Sequence, residues 1–263
     1  RKLPIKRVRN MQNIKLVIEF DGTNYSGWMR QGNKNIPTVQ AVLEKAVAKL
    51  TGEIVEVIGC SRTDAGVHAL NYTANFKTSC TIPAENLYKA LNPFLPEDIE
   101  VKASEAVPDD FHAVYSAKNK VYRYYFYFNE VPHPLLRKRA WNAAKKAPYP
   151  PDEILHITNE ACLHFIGTHD FTAFKASGGL AKTTVRTIFS AEVKRFMGKM
   201  FYLEICGDGF LYNMVRIIAG TLVGVIEGRF SPDEIEKMIS SRERKRAGMT
   251  APPHGLYLYH VSY

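Results

Sequence analysis

The sequence predicts an α+β protein made of two tandem βαββαβ units of ferredoxin-like topology, each an antiparallel sheet with helices on one face. Three observations carry this prediction. Alternating or β-prone runs flank segments with apolar residues at helical spacing, the same order of elements occurs in both halves, and an irregular stretch near residues 108–120 separates the halves. A chain of 263 residues can form one large domain or two of ordinary size.

The first half reads strand, helix, strand, strand, helix, strand. Alternation predicts a strand at 14–22, and Pro37 followed by apolar residues at helical spacing predicts a helix at 37–50. The other predicted elements are strands at 53–60, 71–76 and 98–107 and a helix at 84–95. The stretch GCSRTDAGVHAL, residues 59–70, is therefore a loop that joins two strands.

The second half repeats that order. The predicted elements are a strand at 121–128, a helix at 151–167, a hairpin around Met197 and Gly198, an apolar helix at 210–228 and a strand at 255–263. Residues 129–150 and 168–183 are predicted to be long irregular segments, and loops of such length are often functional. We predict an N-terminal domain at 11–110, which carries the loop with Asp64, and a C-terminal domain at 111–263.

The charge of the chain is unevenly distributed. A net charge of +9 favours a polyanionic partner, but residues 1–10 hold five basic side chains and no acidic one. Without this basic tail the excess of basic over acidic residues falls to four. We expect Met11 to be the natural start. Whether residues 1–10 are native or non-native stays open. The basic cluster Ser240–Gly248 is either a solvated helix end or a phosphate contact.

Several function classes are disfavoured by composition. The cysteines Cys60, Cys80, Cys162 and Cys206 occur singly, without paired spacing, so we expect neither disulfides nor a metal site. No apolar run approaches the length of about 20 residues that crosses a bilayer. The N-terminus also lacks the apolar core of a secretory signal. We expect a cytoplasmic protein with no membrane segment.

The loop at 59–70 contains the candidate chemical groups, and each has a structural alternative. Asp64 is either a reactive carboxylate or an Asx-turn residue bonded to its own backbone. Arg62 is either functional or a solvated surface charge. His68 is a structural residue, a phosphate contact or a general base, and we retain it as a substrate-binding candidate. Cys60 is a poor candidate for an activated thiolate because no histidine lies near it in sequence.

Seven sequence blocks, in order along the chain, narrow these alternatives. They are FDGTNYSGW at 20–28, SRTDAGVHA at 61–69, VPDDFHAVYSA at 107–117, KVYRYYFY at 120–127, DFTAF at 170–174, FLYNMVRIIAGTL at 210–222 and TAPPHGLYL at 250–258. Together they resemble the tRNA pseudouridine synthases of the TruA family.

The resemblance implies isomerisation of uridine to pseudouridine at positions 38, 39 and 40 in the anticodon stem-loop of tRNA. It also implies a homodimer that grips tRNA across both subunits, and no metal or organic cofactor. In such a reaction the N1 glycosidic bond breaks, the uracil turns within its pocket, and C5 bonds to C1′ of the ribose.

The resemblance assigns roles to five residues. Asp64 matches the catalytic aspartate, which attacks either C1′ or C6 and must be ionised to do so. Arg216 matches the arginine that pairs with this carboxylate across a cleft between the domains, so we expect their charged groups within about 4 Å. Tyr122 matches a tyrosine that stacks on the uracil. Arg62 matches the residue that replaces the extruded base, and Leu256 matches an apolar wall of the pocket.

The sequence also departs from the TruA pattern beside the matched residues. Asn71 and Tyr72 stand where Gly-Gln is usual, Cys60 and Ser61 stand where Ala-Gly is usual, and Met29 replaces a common glutamine. These positions flank the candidate site, so they bear on substrate detail and not on the reaction.

Two other functions stay open at this level. The βαββαβ order also occurs in RRM domains, which predicts a non-catalytic RNA-binding protein, although neither half has the RNP1 pattern. A phosphotransferase with Asp64 as phosphoryl acceptor is the second alternative, but the sequence contains no P-loop. Tritium release from C5-labelled uridine in tRNA would distinguish the synthase from both.

Overall fold

The computed structural model describes residues 11–30, 36–144, 149–179 and 181–263, so the basic tail at 1–10 lies outside the described residues. Within these ranges the chain forms ten β-strands and five α-helices. None of the helices in the described ranges combines the length and the apolar character that crossing a membrane requires.

The first half has the predicted order of elements. They are β1 (Gln12–Phe20), α1 (Val39–Thr51), β2 (Ile58–Gly59), β3 (His68–Thr78), α2 (Leu87–Leu91) and β4 (Ile99–Val107). The Thr38 hydroxyl accepts a hydrogen bond from the Ala41 amide at the start of α1, and Gly52 ends this helix at a positive φ of 74°. Helix α2 is shorter than the predicted 84–95 because 3₁₀ turns occupy both of its flanks.

The predicted strand at 53–60 is reduced to two residues for a specific reason. Side chains of α1 take the backbone groups of Val57: Glu44 accepts from the Val57 amide at 3.2 Å, and Gln40 donates to its carbonyl at 3.0 Å. Only Ile58 and Gly59 pair with β3, and Ile54 is fully exposed. The backbone of this segment is thus satisfied without a long strand.

The second half contains more elements than predicted. They are β5 (Asn119–Phe128), β6 (Trp141–Ala144), α3 (Pro151–Leu163), β7 (Gly167–Asp170), β8 (Val185–Met197), β9 (Met200–Gly207), α4 (Met214–Ile226), α5 (Glu234–Ser241) and β10 (Leu256–Ser262). Strands β6 and β7 fall where irregular segments were predicted, because four residues are too short for a visible alternation.

The strands of both halves form one mixed sheet in the order β4-β1-β3-β10-β5-β9-β8-β7, with β2 on β3 and β6 on β5. The prediction of two separate antiparallel sheets is therefore wrong. Strand β2 covers only the Ala74–Asn75 end of β3, which leaves the other end open. There β10 pairs in parallel, Tyr257 with His68 and Leu258 with Ala69, and the two halves become continuous.

Helix α4 is the most buried element of the second half. It packs against α3 and β5, and every residue from Met214 to Ile226 is buried except Arg216. A charged side chain in such a helix requires a partner, because burying an unpaired charge is costly. Arg216 is therefore expected to contact an acidic or polar partner.

Candidate active site

The loop between β2 and β3 is held in place by main-chain hydrogen bonds. The Trp28 amide donates to the Thr63 carbonyl at 3.3 Å, and the Gly66 amide donates to the Tyr25 carbonyl at 3.4 Å. Within the loop, the Val67 amide donates to the Asp64 carbonyl at 3.2 Å. The segment at 20–28 thus serves as the platform on which Asp64 is positioned.

Gly27 allows this platform to approach the loop. Its φ is 83°, and a Cβ at this position would lie 2.1 Å from the Thr63 carbonyl oxygen. We expect Gly27→Ala to lose stability beyond the cost of about 1–2 kcal/mol for a left-handed backbone, since the loop must also move. Its rate of tritium release should fall with the displacement of Asp64. Thermal unfolding and tritium release measure the two effects.

Gly52→Ala is the matched control for this prediction. Gly52 has a similar φ of 74°, but a Cβ added there would meet no atom of the described residues within 4 Å, so only the backbone cost applies. Equal loss of activity in Gly27→Ala and Gly52→Ala would contradict a role for Gly27 in placing the loop.

Asp64 and Arg216 form an ion pair although 152 residues separate them in sequence. Arg216 Nη1 lies 2.8 Å from Asp64 Oδ2, and the side chains are 14% and 24% exposed. This contact confirms the predicted approach of the two charged groups. The pair places a guanidinium directly against the carboxylate that the sequence offers as the candidate nucleophile.

Arg216 is fixed by two further acceptors. Its Nη1 donates to Asn213 Oδ1 at 2.7 Å, and its Nε donates to the Ala251 carbonyl at 2.8 Å. Asn213 precedes α4 with a left-handed φ of 61°, a conformation that asparagine tolerates better than most residues. Asn213 was not predicted as a site residue. Its only signal in the sequence was a position three residues before the arginine in NMVR.

Tyr122 lies on β5, close to the loop of Asp64. It is 5% exposed, its hydroxyl oxygen is 3.0 Å from Ser61 Oγ, and the Phe210 ring packs edge-on against it. Burial raises the pKa of Tyr122 well above the usual range of tyrosine, and the Asp64 carboxylate contributes in the same direction. The phenol is therefore neutral at physiological pH and can donate a hydrogen bond.

Leu256 and Arg62 occupy contrasting environments. Leu256 begins β10, is buried, and lies opposite Tyr124 on β5. Arg62 is exposed, two residues before Asp64, and its side chain forms neither an ion pair nor a hydrogen bond with the described residues. The first can form an apolar wall, and the second is available to an external partner.

His68 does not reach the surface. Its Nδ1 accepts from the Gly22 amide at 3.1 Å and lies 3.0 Å from Asp21 Oδ1, and its ring stacks on Tyr257. Burial lowers the pKa of His68. With 1% of its surface exposed, this placement favours the structural alternative over contact with substrate.

Cys60 is equally enclosed. It is completely buried, and burial raises the pKa of its thiol to about 11, so the thiolate alternative gains no support.

Among the residues that the structure describes, no group of three or more histidine, cysteine, aspartate or glutamate side chains could hold a metal ion.

Comparisons with known proteins identify a family. A family model described as tRNA pseudouridine synthase matches residues 16–116 and 161–263. The chain is 51% identical over 253 residues to tRNA pseudouridine synthase A of Acetivibrio thermocellus, a match that covers 96% of this chain and 100% of that protein. It is 48% identical to tRNA pseudouridine synthase A 2 of Clostridium tetani, with 96% of this chain and 99% of that protein covered.

A third relative, tRNA pseudouridine synthase A of a Thermoanaerobacter species, is 47% identical over 253 residues, with 96% of this chain and all of that protein covered. The ranges that match the family model contain the loop of Asp64, helix α4 with Arg216, and strand β10 with Leu256. The chain belongs to the tRNA pseudouridine synthase family, whose members are isomerases of uridine in tRNA.

Proposed function

We propose that this chain isomerises uridine to pseudouridine at positions 38, 39 and 40 in the anticodon stem-loop of tRNA, with Asp64 as the nucleophile. The observation that carries the proposal is the ion pair of Asp64 with Arg216 at 2.8 Å, on the loop whose Ser61 contacts the buried Tyr122. A carboxylate that is paired yet 24% exposed can reach a base that has been turned out of its stem.

The reaction conserves all atoms of the nucleotide. Asp64 attacks C1′ or C6, the N1–C1′ bond breaks, C5 forms a bond to C1′ after the uracil has turned, and the bond to Asp64 breaks again, which regenerates the carboxylate. The proton on C5 leaves and N1 ends protonated, so neither an oxidant nor a second substrate is required. Release of the C5 hydrogen is therefore a direct measure of turnover.

The remaining side chains confine the base. Arg216 holds the Asp64 carboxylate in one orientation, because its guanidinium is also fixed by Asn213 and by the Ala251 carbonyl. Tyr122 stacks on the uracil, and Leu256 supplies an apolar wall. Together these contacts keep the base in the pocket after its glycosidic bond has broken.

Arg62 supports extrusion of the base. Flipping a nucleotide costs a few kcal/mol, which contacts in the vacated position must offset. We expect Arg62→Ala to lower tritium release from intact tRNA by about 10- to 100-fold, the equivalent of about 1.4–2.7 kcal/mol. Single-turnover measurements at saturating enzyme separate this loss from weaker binding.

Lys45→Ala is the control for the charge alone. Lys45 is an exposed residue of α1, so its removal deletes one positive charge without touching the loop. Equal rates for Arg62→Ala and Lys45→Ala would show that Arg62 contributes only to the general field.

We also propose a domain organisation and an oligomeric state for the chain. We infer two tandem units, 11–110 and 111–263, and a homodimer in which two basic surfaces act together on one tRNA. Outside the tail, basic residues exceed acidic ones by only four, so one subunit alone offers little positive charge to tRNA. Two subunits that act together offer twice as much, which supports the homodimer. The substrate and the four free cysteines support a cytoplasmic site of action. Light scattering with and without tRNA tests the homodimer.

Mapping of pseudouridine in tRNA after incubation with the purified protein tests the proposed function. We expect new pseudouridine at positions 38–40 and nowhere else, together with stoichiometric tritium release. Modification confined to another arm of the tRNA would contradict the assigned positions. A protein that binds tRNA without tritium release would instead fit the RNA-binding alternative.

A further inference from the structure

Ser61 connects the loop of Asp64 directly to strand β5. Its Oγ lies 3.0 Å from the Tyr122 hydroxyl, and either oxygen can be the donor. Ser61 is three residues before Asp64, so the same short segment carries the proposed nucleophile and a contact to the proposed stacking ring. No other side-chain hydrogen bond to the Tyr122 hydroxyl occurs within the described residues.

The backbone of Ser61 is itself immobilised. The Tyr72 hydroxyl donates to the Ser61 carbonyl and accepts from the Ser61 amide at 3.3 Å. Tyr72 is completely buried, and its ring stacks on Trp28 with centroids 4.1 Å apart. A residue bonded through its amide, its carbonyl and its side chain has little freedom to move, so Ser61 is a rigid anchor.

A second contact from β5 reaches the neighbouring residue. Lys120, two positions before Tyr122, donates from Nζ to the Cys60 carbonyl at 2.7 Å. Strand β5 therefore holds both Cys60 and Ser61, which immediately precede the segment at 62–64. Ser61 and Tyr72 are also two of the departures from the TruA pattern, and the structure brings them into contact.

We propose that Ser61 is a positioning residue that fixes the Tyr122 hydroxyl relative to the Asp64 carboxylate, with Tyr72 as its support. The proposal rests on the proposed role of Tyr122 in the site. Without the Ser61 hydroxyl, the phenol lies in a buried environment without this partner and turns away from its present position. Misplacement of a group that confines the base lowers the rate of the chemical step more than the affinity for tRNA.

Kinetics of Ser61→Ala, Tyr122→Phe and the double variant test the proposal. Loss of one hydrogen bond between neutral groups corresponds to a fall in kcat of about 3- to 10-fold, and we expect this in Ser61→Ala with the KM for tRNA unchanged. In the Tyr122→Phe background the same substitution should have no further effect. Tyr72→Phe should lower kcat through the same path and be non-additive with Ser61→Ala.

The control is a second cycle in which Tyr124→Phe replaces Tyr122→Phe. The Tyr124 hydroxyl donates to the Pro252 carbonyl at 2.7 Å and has no bond to Ser61, so the two effects should be additive. Thermal unfolding of each variant identifies any that does not fold, and the cycle of Tyr72→Phe with Tyr122→Phe then replaces the first.

Two outcomes would overturn the proposal. One is a wild-type kcat for Ser61→Ala, and the other is an equal loss in the presence and absence of the Tyr122 hydroxyl. Neither outcome bears on Asp64, whose substitution tests the proposed function separately. A failure of the Ser61 proposal and a failure of the proposed function are thus distinguishable.

Discussion

The Asp64→Asn variant is expected to release no detectable tritium from C5-labelled tRNA while it still binds that tRNA. Asparagine has nearly the same shape and can still accept a hydrogen bond from Arg216, but it has no charge with which to attack C1′ or C6. Removal of a covalent nucleophile abolishes the chemical step itself, so this is the largest effect we expect. Filter binding and tritium release measure the two properties.

Glu204→Gln is the matched control. Glu204 is 23% exposed, close to the 24% of Asp64, and it is also paired with an arginine, Arg123, at 2.6 Å. Successive side chains of a strand point to opposite faces of the sheet, and Arg123 directly follows Tyr122 on β5. The Arg123–Glu204 pair therefore lies on the face opposite to Tyr122. Glu204→Gln should turn over tRNA at close to the wild-type rate. Turnover above a few per cent in Asp64→Asn would remove Asp64 from its proposed role.

Arg216→Lys is expected to lower turnover more than it lowers the affinity for tRNA. Lysine retains the charge but loses the planar fork with which Arg216 contacts Asp64, Asn213 and the Ala251 carbonyl at once. Arg216→Met removes the charge as well, and we expect a loss of about 100-fold or more, since a preorganised charged donor is lost from a partly dry site. Single-turnover rates and binding constants separate these effects.

Arg123→Lys provides the corresponding control. It removes the planar fork from the same kind of arginine–carboxylate pair, together with the stacking of Arg123 on Tyr259, away from the site. Arg216→Lys with unaltered turnover, or a loss no greater than that of Arg123→Lys, would contradict the proposed partnership of Arg216 with Asp64.

Much of the candidate site could be predicted from the sequence, because its main residues lie in segments with a recognisable pattern. An arginine in an otherwise apolar helix had to leave the buried face or find a partner, and Arg216 does the second. The position of Asn213 could not be predicted, because a single left-handed residue leaves no periodic signal. His68 was equally ambiguous, since its burial depends on Asp21 and Tyr257, which are distant in sequence.

The fold was predictable for long elements and not for short ones. Strand β1 and helices α1 and α4 have enough residues to display a period, whereas β6 and β7 have four residues each. The continuous sheet was missed for a related reason. It depends on two residue pairs between β3 and β10, at the end of β3 that stays open because β2 ends at Gly59, where the chain enters the loop of Asp64.

The parallel pairing of β3 with β10 has a consequence for the timing of synthesis on the ribosome. Strand β3 begins at His68, immediately after the loop of Asp64, but its partner residues Tyr257 and Leu258 are added to the chain far later. A nascent chain that has passed Arg216 and not yet reached β10 therefore still lacks one neighbour of the loop, as well as Leu256. The complete site can close only after β10 has left the ribosome, so shorter nascent chains lack it.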